Sequence, residues 1–118
     1  MSQVVMESAV RQVTRDKPGK KLVCKDLVIW PDGVHSVFDA QFQAVHTPLL
    51  IHEWKCRKNN RPGLYVDDLD WLCRFTAQFP DVMGLATTLY RHQDQWQMRG
   101  AWVRHGEQEA PFEAGRPR

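Results

Sequence analysis

Hydrophobic and polar positions divide the chain into seven predicted elements. Over residues 2–14, Val5, Met6, Ala9, Val10 and Val13 recur at three- and four-residue steps and predict a short helix with one apolar stripe. Lys17-Pro18-Gly19-Lys20 breaks it. Residues 21–30 are β-rich, with Leu22, Val23, Leu27, Val28, Ile29 and Trp30, and Pro31-Asp32-Gly33 closes them with turn chemistry. Residues 34–45 then alternate. Phe38, Ala40, Phe42 and Ala44 take one face and Asp39, Gln41 and Gln43 the other, the pattern of a half-buried strand.

His46-Thr47-Pro48 leads into a third strand over 49–57, Leu-Leu-Ile-His-Glu-Trp-Lys-Cys-Arg. Glu53 and Lys55 share a face there, roughly 7 Å apart along the strand. A loop of Val45, His46 and Thr47 would set Asp39 directly opposite Glu53, ~5 Å away at Cβ, with Phe38 beside Trp54 and Phe42 beside Leu50. A slip of one residue would send Asp39 to the wrong face. After a basic stretch, Arg57-Lys58-Asn59-Asn60-Arg61-Pro62-Gly63, Asp67 or Asp68 caps a helix running to about Phe79. Its inward stripe is Leu69, Leu72, Phe75, Thr76 and Phe79. Strands follow over 82–90 and 96–103, separated by a polar turn.

This order predicts an α+β domain with a mixed sheet of about five strands: helix, three-stranded antiparallel meander, helix, two strands. The helix after the third strand should return the chain parallel to one of the first three. Residues 1–105 form the expected domain, and 106–118, rich in Gly, Pro and Glu, the expected flexible tail.

Composition narrows the function classes. The chain has 118 residues, 42% hydrophobic and 25% charged, with a net charge of +2. This is one ordinary globular domain, not a polybasic nucleic-acid binder, although a local basic patch remains open. Cys24, Cys56 and Cys73 have no metal-ligand spacing and read as reduced thiols. No leader and no apolar run of ~20 residues is visible, so the expected location is cytoplasmic. The five histidines have no ligand spacing, and His52 reads as a core histidine.

An acid and a lysine on an otherwise apolar strand admit two readings, a metal site or an ion pair at the sheet's end. Asp39 followed by Glu53-Trp54-Lys55 resembles the PD-(D/E)xK nuclease superfamily. The likeness extends over about residues 34–90 and is most like the archaeal Holliday-junction resolvases, through the basic stretch Arg57 to Arg61, Leu64-Tyr65-Val66, Leu72-x-x-Phe75 and the strand from Met83 to Thr87. The resemblance implies a restriction-endonuclease-like core, Mg²⁺ or Mn²⁺ as cofactor, and DNA as substrate. It implies Asp39 and Glu53 as metal ligands with the backbone carbonyl of Trp54, and Lys55 as the residue that activates water or steadies phosphate charge. Arg57, Lys58 and Arg61 would contact DNA, Glu7 on the first helix would complete the site as a further acid, and Asp32 is the alternative to Asp39. One site per short chain implies a homodimer for cutting both strands. Two other readings stand beside it: a non-enzymatic homodimeric module binding a partner through its sheet or Trp-rich surface, and a pocket for a small ligand.

Overall fold

The computed structural model describes residues 2–13, 22–33, 36–57 and 66–114. Its strands are β1 (Gln3–Arg11), β2 (Leu22–Trp30), β3 (Leu50–Arg57), β4 (Met83–His92), β5 (Gln95–Arg104), β6 (Glu107–Gln108) and β7 (Phe112–Ala114), with one helix, α1 (Val66–Gln78), between β3 and β4. The architecture is α+β, with a seven-stranded mixed sheet ordered β1-β2-β3-β4-β5-β6 and β7 also on β5. β3 and β4 are parallel, joined through α1, and every other pair is antiparallel.

Two expected elements are different. Residues 3–11 form a strand, not a helix, paired with β2 from Gln3↔Trp30 to Arg11↔Leu22. Four valine and alanine positions in this stretch suit either period, but β-branched side chains favour the pleated surface once an apolar partner strand is present. The expected strand over 34–45 is also absent from its described part, which contains only an isolated Phe38↔Ala44 bridge. Asp39 explains this. Its Oδ1 accepts the N–H groups of Gln41 and Gln43, both at 2.9 Å, and its carbonyl accepts the Phe42 N–H at 3.1 Å. A short acid that satisfies neighbouring amides gives the backbone an alternative to a ladder. The three-stranded meander therefore exists as β1-β2-β3, with residues 36–49 as an excursion.

α1 begins where two acids, Asp67 and Asp68, meet the positive end of the helix dipole. Its inward face carries Trp71, Leu72, Phe75 and Thr76, all buried. Trp71 stacks on Phe75 at 5.0 Å between centroids, and Phe75 meets Phe79 at 4.8 Å. With Val10, Val28, Trp30, Val37, Ile51, Ala86 and Val103 they make one core. Full burial of Leu72 or Phe75 contributes on the order of 2 kcal/mol each.

The distal strands are tied by tight turns. Gln93 and Asp94 (φ 49° and 62°) join β4 to β5, and His105 and Gly106 (φ 52° and 82°) join β5 to β6. Two successive positive φ values give the two-residue hairpin turn whose twist matches the strands. The Gly106 N–H donates to Thr76 Oγ1 at 3.0 Å, and a Cβ at this position would lie 2.9 Å from that of Ala77. This hairpin is thereby pinned to α1. The expected loose tail is ordered over 107–114: β6 and β7 run along the same edge of β5, and Phe112 lies over Gly100. Main-chain pairing needs no hydrophobic pattern, so the composition of this stretch concealed it. No helix among the described residues is long and apolar enough to cross a membrane.

Candidate active site

β2 is not a regular strand. Val28 and Trp30 point into the core beneath α1 and are fully buried, so simple alternation would put Lys25 on the opposite face. Instead the Lys25 ammonium lies 3.9 Å from the centre of the Trp71 ring on α1. The change of phase falls at Asp26 and its neighbour Glu7. The β1–β2 register skips from Met6↔Leu27 to Ser8↔Lys25, and Glu7 between them has φ 51°. The register is the same on both sides of this break, with one residue left out of the ladder on each strand, and the side chains of both strands change face across it.

The β2–β3 register ends at the same place. Leu27 pairs with His52, so the next pair would join Asp26 to Glu53. Side chains replace the ladder there. Asp26 Oδ2 accepts the Trp54 N–H at 2.9 Å, and Glu53 Oε1 accepts the Asp26 N–H at 3.3 Å. Two carboxylates from adjacent strands thus each hold the other's strand, leaving Asp26 Oδ1 and Glu53 Oε2 for other partners.

Two lysines complete the cluster. Lys25 Nζ is 3.8 Å from Glu53 Oε1, and both side chains are about nine-tenths buried, 10% and 6% exposed. Lys55 Nζ reaches Asp68 Oδ2 at 3.3 Å, in the first turn of α1. Burial pushes the Glu53 carboxyl up to about 7, with Lys25 and the Asp26 N–H pulling against it and Asp26 and Asp68 adding to it. Burial lowers Lys25, opposed by Glu53, Asp68 and Asp26. Burial also works against a charged Lys55, but the Asp68 charge and hydrogen bond, with Asp26 and Glu53, hold it above its ordinary value. Gln12 anchors the wall of this cluster by accepting the Trp71 indole N–H at 2.8 Å.

Of the expected site residues, Glu53 and Lys55 lie on the helix-facing side of β3 as read from their spacing. Asp39 does not stand opposite Glu53. The neighbours of β3 are β2 and β4, and the Asp39 carboxylate is committed to its own turn. Asp26 takes the place opposite Glu53. Trp54 gives its N–H to Asp26. Glu7 is exposed at the break in β1 and not on a helix, and Asp32 follows the end of β2. Arg57 closes β3 opposite Tyr90, while Lys58 and Arg61 fall outside the described residues. His52, expected in a core, sits half-buried on the other side of the sheet with Nε2 2.8 Å from Thr87 Oγ1. Burial holds its pKa below the usual imidazole value.

Asp26, Lys25 and Asp68 escaped the sequence reading. A signal existed: Lys25-Asp26 interrupts an apolar strand just as Glu53 and Lys55 do. Among the described residues no three His, Cys, Asp or Glu side chains form a metal-holding group, so the carboxylate donors are the pair Asp26 and Glu53. Comparison with protein families, with curated proteins and with solved structures finds no match to this chain.

Proposed function

We propose that the chain is a metal-dependent, restriction-endonuclease-like nuclease acting on DNA phosphodiester bonds, with Asp26, Glu53 and Lys55 as its site. The observation that carries this reading is the reciprocal clasp of Asp26 and Glu53, with Lys55 two residues on and a helical crossover to a parallel strand immediately after. Asp26 replaces Asp39 in this assignment.

The donor set suits a hard divalent cation. Asp26 and Glu53 offer only oxygen, and Mg²⁺ or Mn²⁺ is readily held by one or two carboxylates while keeping several waters. Trp54 could add its carbonyl. When bound, such an ion neutralises phosphate charge and acidifies a water. The chain's own groups do the rest. Asp68 keeps Lys55 charged and oriented, so its ammonium can offset negative charge developing on the phosphate. Lys25 favours the ionised form of Glu53 inside the core. Arg57, Lys58 and Arg61 follow the site in sequence and supply phosphate contacts in this reading.

The test is cleavage of labelled single-stranded, duplex and four-way-junction DNA with Mg²⁺ or Mn²⁺. Cleavage should disappear in Asp26→Asn, Glu53→Gln and Lys55→Met, while Asp39→Asn retains wild-type activity. Absence of cleavage on every substrate, or undiminished activity in Asp26→Asn, would defeat the assignment.

A second reading is favoured by one observation. Lys25 pairs with Glu53 and Lys55 with Asp68, so the cluster balances much of its own charge. A non-enzymatic interaction module would need no more than this. Calorimetry separates the two, because a structural cluster takes up no divalent cation.

A further inference from the structure

The sheet has two faces, and among the described residues α1 packs on one of them. α1 and the excursion over 36–49 lie on the same side, since Val37 and Ala44 pack into the core that α1 closes. The other face is built from Val4 and Met6 of β1, Leu27 and Ile29 of β2, Leu50, His52 and Trp54 of β3, Leu85 and Leu89 of β4, and Met98 and Trp102 of β5. The register places these in lateral rows: Val4↔Ile29↔Leu50 and Met6↔Leu27↔His52↔Leu85↔Trp102. All are half-buried or exposed, with Val4 58% and Met6 59% accessible. Phe112 lies on this face, over Gly100.

Three features identify what this face takes. It contains no Asp, Glu, Lys or Arg in these rows, and its one titratable ring, His52, is shifted toward the neutral form and bonded to Thr87. Within these rows a partner therefore meets no charge, and an identical copy brings none; Arg91 and Arg104 lie beyond the rows at the two ends of the same face, paired with Asp94 and Glu109. Its central strands β3 and β4 are parallel, an arrangement that ordinarily has both faces buried. Its size also fits. Five strands at ~4.8 Å spacing and about 23 Å long cover on the order of 550 Å² in plan. With side-chain relief this approaches the roughly 800 Å² per partner of a standard stable interface. Trp54 and Trp102 near its middle are the residue type that anchors such contacts.

We propose that this face is the interface of a homodimer in which the sheets of two copies pack face to face, about a two-fold axis, with the Asp26–Glu53 clusters on the outer sides. Identical uncharged rows are self-complementary under such an axis, and sheets stacked this way lie ~10 Å apart with interdigitated side chains. The proposal does not depend on the nuclease reading.

Sedimentation of the wild-type chain between 0.5 and 100 µM, a range spanning about ordinary dimer affinities, tests it. Leu85→Glu, at the centre, should give a monomer. Met6→Glu changes an exposed residue and spares the core, so it keeps the test informative if the first variant fails to fold. It should raise the dissociation constant by at least about tenfold. Glu107→Lys, on the exposed edge strand β6, should dimerise as wild type does. A wild-type monomer throughout the range overturns the proposal, as does a dimer indifferent to Met6→Glu. A monomer that co-sediments with phosphatidylcholine vesicles would assign the face to lipid and equally overturn it.

Discussion

Glu53 offers a quantitative check on the cluster. The residue is 5% exposed, and burial is the chief cause that pushes its carboxyl up to about 7 from the ordinary 4.5. An acid raised on folding binds its proton more tightly in the native state. Stability therefore falls as pH rises through the window from 4.5 to about 7 and is flat above it. At ~1.36 kcal/mol per pH unit, this window integrates to about 3 kcal/mol. His52 works in the opposite sense. Its lowered pKa means the unfolded chain protonates first, so its contribution is present above pH 6.5 and is lost as pH falls through the folded value. The comparison of wild type with Glu53→Gln cancels that term. Urea unfolding of both proteins from pH 4.5 to 8 should show the variant gaining on wild type by about 3 kcal/mol across the range. A difference that is constant with pH, or that shrinks as pH rises, would refute the burial argument. It would mean that Lys25 fully compensates the charge.

Other outcomes follow from single contacts. Lys25→Met should cost up to about 3 kcal/mol at pH 8, where Glu53 loses its nearest counter-charge in the core, and clearly less at pH 5, where it is protonated; urea unfolding at the two pH values reads this. Asp39→Ala should lower stability by about 1 kcal/mol through loss of its turn, with no effect on divalent-cation uptake in calorimetry. Gly106→Ala should cost about 2 kcal/mol, because it combines positive φ with a 2.9 Å approach to Ala77, and should lower the thermal midpoint.

Much of the fold was legible where one signal stood alone. α1 was marked by Asp67 and Asp68 at its start and by Leu72, Phe75 and Thr76 at helical spacing. β4 and β5 were marked by apolar runs around a polar turn. The parallel return after α1 followed from a helix joining two strands. Legibility failed where two rules competed. Val5, Ala9 and Val10 satisfy a helical stripe, yet the same residues suit a strand against β2. Phe38 to Ala44 alternates perfectly, but the register drawn from it presumed that sequence neighbours pair, and Asp39 preferred its own amides. The site was therefore half visible. Glu53 and Lys55 follow from strand parity, whereas Asp26 depends on a break in the ladder that no local periodicity encodes.

That break at Glu7 and Asp26 has a genetic corollary. It acts as a phase shifter: upstream of it in β2, odd-numbered positions look toward α1, and downstream even-numbered ones do. Removing one residue from β2 between Asp26 and Val28, normally ruinous for a strand, could be relieved by a compensating deletion at Glu7 that restores plain alternation. Such a pair of lesions would rescue folding with Lys25 still facing Trp71, yet move Asp26 into the place of Leu27 opposite His52 and away from Glu53, dissecting the architecture from the chemistry it carries.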